Sequence, residues 1–265
     1  VAGRVRGRAV PFANRRSVVK KPAAPLNRRH FLTLAGHATA AAALLGLPLS
    51  GHATAPGARV RIGIVGSGNV GTALGRLWAR AGHQVMFSSR SLDADKTLAR
   101  DIGANASAGL PREAVAFGDV ILFAVPYRAL PDLGKELAPA LKGKIVIDAC
   151  NPFPDRDGDI ANWAREKGAG LASAELLPGA RIVRGFNAIP AAKMGAADKP
   201  PPRIGMPIAG DDKGAIDVVT ALVGEIGYEP VLVGGLAMGR HLIPGSPLAG
   251  ERSAEEIRRI VAGLK

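Results

Sequence analysis

Short apolar runs alternate with amphipathic segments along most of the chain after residue 56. The run at 60–65 is continuously apolar apart from Arg61 and predicts a buried strand. After it, apolar residues recur at spacings of three and four, which places them on one face of a helix. These helix positions are Val70, Leu74, Leu77, Trp78 and Ala81.

Further apolar runs predict strands at 84–87, 120–125, 144–148, 181–183, 207–209 and 229–233. Helical patterns between and after them predict helices at 130–141, 212–226 and 254–264. Strands that alternate with helices indicate an α/β fold. The sequence therefore predicts a Rossmann-type, doubly wound, mainly parallel sheet with a small C-terminal extension.

A glycine-rich turn, Gly66-Ser67-Gly68-Asn69-Val70-Gly71, joins the first predicted strand to its helix. In such a turn the first glycine permits the tight bend, the second lets backbone amides approach a pyrophosphate, and the third lets the helix pack on the sheet. The phosphates would then lie at the positive end of the helix. The alternative is a glycine-rich turn without a ligand.

The segment after the second predicted strand indicates which dinucleotide binds. A carboxylate there would accept hydrogen bonds from the ribose of NAD, but the chain has Ser88-Ser89-Arg90-Ser91 instead. Arg90 offers a charged donor fork and the serines offer hydroxyls, both suited to a 2′-phosphate. This favours NADP as the cofactor. The alternative is a solvated Arg90 with Ser91 as a helix N-cap.

Residues 1–55 have the pattern of an export signal. They contain nine Lys or Arg and no Asp or Glu, and Arg28-Arg29 precedes a weakly apolar run that continues to about residue 49. This pattern resembles a twin-arginine signal. The resemblance implies the twin-arginine export machinery as a partner, cleavage near 53–55 and a periplasmic or exported protein. Without such a signal the protein would be cytoplasmic. The run is short for a membrane anchor. The second predicted unit is the nucleotide-binding domain at 56–265.

Charge and the titratable residues argue against nucleic-acid binding, a metal site and a cysteine nucleophile. Most of the formal net charge of +13 comes from the first 55 residues, so no nucleic-acid partner is needed. Only His83 and His241 follow the signal, which leaves too few histidines for a multi-histidine metal site. Cys150 follows an apolar run and is expected to be a core residue rather than a nucleophile. Asp155, Asp157 and Asp159 are expected to form a solvated turn rather than a calcium loop.

Ligands bind at the carboxyl ends of parallel strands, so the loops after the strands are the candidate site. These loops are 125–127, 151–153, 185–190 and 234–236. Arg240 and His241 follow the last of them and could bind an anionic acceptor, or His241 could be held by backbone groups.

Several segments together resemble the NADPH-dependent coenzyme F420 reductase family, and the resemblance extends over nearly all of residues 56–265. The matching segments are 62–71, 88–90, 123–126, 148–152, 185–187 and 208–212. The resemblance implies hydride transfer between NADP(H) and a flat acceptor, with no catalytic side chain and no metal. It implies nucleotide contacts at Gly66, Ser67, Gly68, Asn69, Val70, Ser89 and Arg90, a nicotinamide near Ala124, Val125 and Pro126, and Asn187 beside the acceptor.

Three functions stay open at this point. The first is an NADP-dependent oxidoreductase acting on F420, flavin, a ferric complex or another small electron acceptor. The second is a dehydrogenase of the 6-phosphogluconate type, which would need a large helical second domain and a catalytic lysine. The third is a non-catalytic protein that senses or carries NADP. The patterns are compatible with a homodimer.

Overall fold

The computed structural model describes residues 59–195 and 203–264. The predicted export signal and its cleavage site lie outside the described residues, and so does the predicted boundary at residue 56. Within the described residues, no helix has both the length and the apolar character needed to span a membrane.

A single mixed sheet organises the described residues. Its strands are β1 Arg61–Val65, β2 Gln84–Ser88, β3 Ala106–Ala108, β4 Val120–Phe123, β5 Ile145–Asp148, β6 Arg181–Gly185, β7 Gly205–Gly210 and β8 Glu229–Gly234. They are ordered β3-β2-β1-β4-β5-β6-β7-β8 across the sheet. The order reverses between β1 and β4, which is the switch point of a doubly wound fold. The predicted Rossmann-type architecture is confirmed.

Helices connect the strands and cover both faces of the sheet. They are α1 Asn69–Arg80, α2 Leu92–Ile102, α3 Pro111–Phe117, α4 Leu130–Leu141, α5 Pro154–Asp157, α6 Asp159–Lys167, α7 Ala169–Leu176, α8 Ala191–Met194, α9 Lys213–Glu225 and α10 Ala254–Gly263. Two 3₁₀ helices, Tyr127–Ala129 and Leu236–His241, complete the set for the described part of the chain.

The direction of the chain changes after β6. Pairs β1–β2, β1–β4, β2–β3, β4–β5, β5–β6 and β7–β8 are parallel, whereas β7 pairs with β6 antiparallel, with Gly185 opposite Ile208 and Val183 opposite Gly210. The predicted C-terminal extension thus continues the same sheet with two reversed strands. α9 and α10 pack against these strands.

Apolar side chains fill the space between sheet and helices on both faces. One cluster joins α1 to α9 around Trp78, Phe186 and Tyr228, whose rings meet edge to face with centroids 5.8 and 6.0 Å apart. Such edge contacts add about 0.5–1.5 kcal/mol each beyond burial. Another cluster packs α4, α6 and α7 on the opposite face and includes Phe123 and Tyr127.

Some local features differ from the sequence predictions. Ala81 is exposed and caps the C-terminus of α1, while Ala79 is buried in its place. β3 and the helices between 154 and 176 were not predicted, because they are short and, in α7, lack amphipathic periodicity. Asp157 is not in a solvated turn: it is buried, pairs with Arg156 and accepts the backbone N–H of Phe153. These interactions hold the pKa of Asp157 below its usual value although burial opposes them.

Candidate functional site

The carboxyl ends of β2, β1, β4, β5 and β6 follow one another along one edge of the sheet. Neighbouring strands are about 4.8 Å apart, so the loops after β2 and β6 are separated by roughly 19 Å. Most of the predicted site residues lie along this edge in the loops after the five strands. An extended ligand that crosses the switch point would pass all five loops.

The glycine-rich turn has the backbone geometry that its sequence predicts. Gly66 has a φ of +105°, and a Cβ at this position would lie 2.5 Å from the Ala124 carbonyl oxygen. Its N–H donates to the Ser88 carbonyl at 2.9 Å. A Cβ on Gly71 would lie 2.0 Å from the Gly66 carbonyl oxygen. The turn therefore requires glycine at positions 66 and 71 for the fold itself.

Gly68 differs from both of these glycines. A Cβ at Gly68 would have no atom of residues 59–195 or 203–264 within 4 Å, and Gly68 is exposed in extended backbone as the N-cap of α1. No side chain caps this helix end, and its first turn contains no acidic residue. Asn69 is exposed beside it, and Val70 packs partly against the core. The first amides of a helix lack intrahelical partners, so this end is suited to an anion.

The serines after β2 have different roles. Ser88 is fully buried, and its hydroxyl donates to the Ile64 carbonyl at 2.7 Å. It therefore joins β2 to β1, and its predicted role as a phosphate ligand is wrong because its hydroxyl is held inside the sheet. Ser91 occupies the N-cap position of α2 but makes no side-chain cap bond.

Ser89 and Arg90 lie at the surface of the same loop. Among the described residues, Arg90 has no hydrogen-bond or ion-pair partner and is exposed. Lys96, by contrast, lies 3.7 Å from Asp93 in an exposed ion pair. Arg90 is thus the cation of this loop that is free for a ligand.

Asp95 is a site residue that sequence reasoning missed. It lies in the first turn of α2, only 1% exposed, and accepts hydrogen bonds from the hydroxyls of Ser67 and of Ser89, the latter at 2.8 Å. A carboxylate is therefore present near the end of β2, although none occurs in the sequence directly after the strand. Its position on the inner side of the helix, between the exposed Asp93 and Lys96, was the sequence signal that could have identified it.

The loop after β4 lines the middle of the edge. Ala124, Val125 and Pro126 are each partly exposed, and the Ala124 N–H donates to the Val65 carbonyl at 2.9 Å. Val125 also packs against Gly66. These three residues are therefore next to the glycine-rich turn and offer a mainly apolar surface.

The two titratable groups behind this loop, Tyr127 and Cys150, are buried and have raised pKa values. Tyr127 is buried and bonded to Ser173 and to the Ala169 carbonyl, and burial raises its pKa far above 10. Cys150 is buried. Burial is the main cause that raises the pKa of its thiol well above the usual value, and the charge of the nearby Asp148 adds to it. Cys150 is thus a core residue rather than a nucleophile.

A buried polar network lies at the ends of β5 and β6. Asp148 and Arg184, both fully buried, form an ion pair, and Arg184 also donates to the Asn151 side chain at 3.3 Å. Asn151 donates to the Asn187 carbonyl at 2.9 Å, and Asn187 donates to the Cys150 carbonyl at 3.4 Å. The Asn187 Oδ1 and the Arg184 Nε have no hydrogen-bond partner among the described residues. Asn187 therefore keeps a buried acceptor atom for a further hydrogen bond.

Backbone strain fixes the position of Asn187. The preceding residue, Phe186, has a φ of +64°, which costs a non-glycine residue about 1–3 kcal/mol and is sustained only by strong packing. The Phe186 ring provides that packing through its contacts with Trp78 and Tyr228. The core thus holds the loop after β6 in a conformation that the chain would otherwise avoid.

The loop at 234–236 does not join this edge. Because β7 reverses direction, the end of β8 is not among the carboxyl ends of the parallel strands, and the following 3₁₀ helix packs on β6, β7 and α7 instead. The Arg240 side chain lies against Gly168. Burial and the charge of Arg240 lower the pKa of His241. The convergence of this loop with the others was predicted wrongly.

No group of three or more His, Cys, Asp or Glu side chains suited to a metal ion occurs in the residues that the structure describes. His83, the other histidine after residue 55, accepts the Val60 N–H and pairs with Glu225 at 2.5 Å. It lies where β2 begins, at the other end of the strand from Ser89 and Arg90.

Comparison with known proteins agrees with this geometry. Residues 61–152 match the family described as NADP oxidoreductase, coenzyme F420-dependent, a match that covers about a third of the chain. A hypothetical protein from Sinorhizobium meliloti is similar over 74% of this chain and 95% of its own, with 27% identity and a TM-score of 0.64.

Two further structures share the fold. A protein from Arthrobacter sp. fb24 named as a candidate F420-dependent NADP reductase is 20% identical over 68% of this chain and 87% of its own, with a TM-score of 0.60. The 3-hydroxyisobutyrate dehydrogenase of Mycobacterium tuberculosis is 17% identical, with a TM-score of 0.52, and this chain covers 57% of it. The α/β Rossmann-type fold is therefore shown both by the topology and by these relatives.

Proposed function

We propose that this protein is an oxidoreductase that binds NADP(H) along the carboxyl ends of β2, β1 and β4 and exchanges hydride with a small or flat electron acceptor bound near β6. The observation that carries the proposal is the glycine-rich turn at the switch point, with open space at Gly68 and an unpaired Arg90 at its outer end. The family match over residues 61–152 supports it.

The residues along the edge fit the parts of a dinucleotide. The uncapped N-terminus of α1 suits a pyrophosphate, and the space around Gly68, which contains no atom of the described residues within 4 Å of a Cβ there, leaves room for its oxygens. Arg90 supplies a planar, always charged donor for a 2′-phosphate. Ala124, Val125 and Pro126 offer an apolar surface for the nicotinamide, and Asn187 keeps an unpaired acceptor atom beside it.

The nicotinamide supplies the hydride in this chemistry, and the protein holds two rings in contact. The proposal therefore assigns no general acid or nucleophile, and it gives no chemical role to the buried Tyr127 and Cys150. The strained Phe186 and the hydrogen bond from Asn151 to the Asn187 carbonyl keep the acceptor side rigid. Rigidity of this kind is what positioning requires.

The dehydrogenase alternative fits the described residues less well. A large helical second domain would have to follow β6, but residues 203–264 add β7 and β8 to the same sheet, with α9 and α10 packed on them. Lys193, in α8, pairs with Glu251 at 3.1 Å. We therefore favour a single Rossmann-type unit with a small acceptor.

NADPH oxidation by the purified protein tests the proposal. It should be followed by the loss of reduced-nicotinamide absorbance, with F420, a free flavin and a ferric chelate as separate acceptors. Turnover that depends on one acceptor establishes an oxidoreductase and identifies the acceptor class. Tight NADPH binding without turnover for any of them would instead favour a protein that senses or carries NADP.

Arg90→Ala tests the choice of nucleotide. Loss of the guanidinium removes a charge-assisted contact to the 2′-phosphate, so the Kd for NADPH should rise by about tenfold or more, and the Kd for NADH should change little. Calorimetric titration with each nucleotide measures both values. Equal losses for the two nucleotides would remove the role assigned to Arg90.

A further inference from the structure

Asp95 is a buried carboxylate beneath the loops that would hold the adenosine end of the nucleotide. One oxygen accepts the hydroxyl proton of Ser67, and the other accepts that of Ser89 at 2.8 Å. Ser67 belongs to the glycine-rich turn after β1, and Ser89 follows β2. A single side chain therefore joins the two loops and determines where their hydroxyl protons point.

The direction of these protons matters for the ligand. A serine hydroxyl has one proton to donate and two lone pairs that accept. Since Ser67 and Ser89 both give their proton to Asp95, they face a ligand only as acceptors. Ser89 also accepts the Ser91 N–H at 3.1 Å. A ribose 2′-hydroxyl can donate to such oxygens, whereas an ionised 2′-phosphate has acceptor oxygens only.

Charge acts in the same direction as the hydrogen bonds. The Asp95 carboxylate lies one serine away from the place where a 2′-phosphate would bind, and like charges repel. Because Asp95 is 1% exposed while Arg90 is exposed, salt and water screen the carboxylate less than the guanidinium. Arg90 and Asp95 therefore oppose each other at the same position of the ligand.

We propose that Asp95 is a specificity-determining residue that lowers the preference of this site for NADP(H) over NAD(H). A phosphate can take the protons of Ser67 and Ser89 only if the buried carboxylate loses them, which is costly. A ribose hydroxyl needs no such change. This proposal rests on the proposed function, because it takes the nucleotide to lie along Ser67, Ser89 and Arg90.

Asp95→Asn tests the proposal with Asp93→Asn as the matched control. Asp93 is in the same helical turn, carries the same charge, and has a side chain that is 97% exposed. The ratio of the Kd for NADH to the Kd for NADPH should rise by about tenfold or more in Asp95→Asn. It should change by less than about twofold in Asp93→Asn. An unchanged ratio in Asp95→Asn, or one that falls, would overturn the proposal.

Arg90→Ala provides a second test that leaves Asp95 in place, in case the Asn variant does not fold. If Arg90 alone discriminates, its loss leaves equal affinities for the two nucleotides. If Asp95 also repels the phosphate, the loss of Arg90 makes NADH bind more tightly than NADPH. Equal affinities would overturn the Asp95 proposal but leave nucleotide binding intact. A ratio identical to that of the unchanged protein would instead contradict the phosphate role of Arg90, and with it the proposed function.

Discussion

Gly68 separates ligand binding from folding more cleanly than the other two glycines of its turn. Gly68→Thr keeps a residue that is as acceptable as glycine at a helix N-cap, and its Cβ would have no atom of the described residues within 4 Å. We expect the free energy of unfolding to change by less than about 1 kcal/mol. The Kd for either nucleotide should rise about a hundredfold or more, because the side chain fills the space needed by the phosphates.

Thermal unfolding and calorimetric titration of the same sample check both expectations for Gly68→Thr. Gly71→Ala is the contrasting variant, since its Cβ would lie 2.0 Å from the Gly66 carbonyl oxygen. It should lower stability before any ligand is added. Retained nucleotide affinity in a folded Gly68→Thr protein would contradict a pyrophosphate at this turn.

The stability of the fold depends on the ion pair of Asp148 and Arg184. Both side chains are fully buried, so removing one leaves a charge without its partner inside the protein. Arg184→Met should therefore lower the free energy of unfolding by about 3–5 kcal/mol. In urea denaturation, the double variant with Asp148→Leu should recover part of this loss. A double variant less stable than the single one would contradict an uncompensated charge as the cause.

Helix α9 depends on an acidic residue at its start. Asp212 accepts the Ala215 N–H at 2.8 Å as N-cap and pairs with Arg181 at 2.6 Å. The hydrogen bond from Arg181 is the main cause that lowers the Asp212 pKa to about 2. Because the folded pKa lies below the unfolded one, this stabilisation is present above about pH 4. It is lost as the pH falls toward 2.

Asp212→Asn tests this dependence, since asparagine can still cap the helix while the charge is lost. The variant should be less stable than the unchanged protein at pH 7, and its stability should fall less between pH 4 and pH 2. Asp217→Asn, which removes a charge from the exposed pair with Lys213 in the same helix, is the control. Parallel curves of stability against pH for Asp212→Asn and the unchanged protein would contradict the assignment.

Sequence patterns located most elements but not their relative directions. Leu130–Leu141 has the predicted bounds, and the predicted strand at 144–148 differs from β5 by one residue. The direction of β7 and β8 was not predictable, because an apolar strand has the same composition in either direction. That reversal removes the loop at 234–236 from the site and places its 3₁₀ helix over Arg184, where Gly239 approaches the Arg184 side chain.

The predicted export signal lies outside the described residues. We propose that Arg28 and Arg29 direct the protein to the twin-arginine machinery, which carries proteins that have already folded with their cofactor. Replacing both by lysine keeps the charge and should stop export. Cell fractionation measures the exported fraction, and the same replacement at Arg15 and Arg16 is the control. Loss of export in the control, or in neither variant, would contradict the assignment.

Local order along the chain was sufficient to predict the backbone geometry of the glycine-rich turn. The tasks of Gly66 and Gly71 depend on the strand before and the helix after them, so a few consecutive residues specify the geometry. The order of strands and helices likewise predicted the Rossmann-type sheet. Arg90 was predicted as a phosphate ligand because it lies in the loop that follows the second strand. All of these features arise from neighbours in the sequence.

The tertiary structure was needed wherever a side chain's role depends on a partner distant in sequence. Ser67 and Asp95 are 28 residues apart, and packing of α2 against the sheet brings them together. Asn187 owes its position to Phe186, whose ring contacts Trp78 and Tyr228 from other elements. Ser88 and Ser89 are adjacent and chemically identical, yet one faces the sheet interior and the other the loop surface. Burial and the direction of a hydroxyl proton follow from three-dimensional packing, which residue type and spacing do not specify.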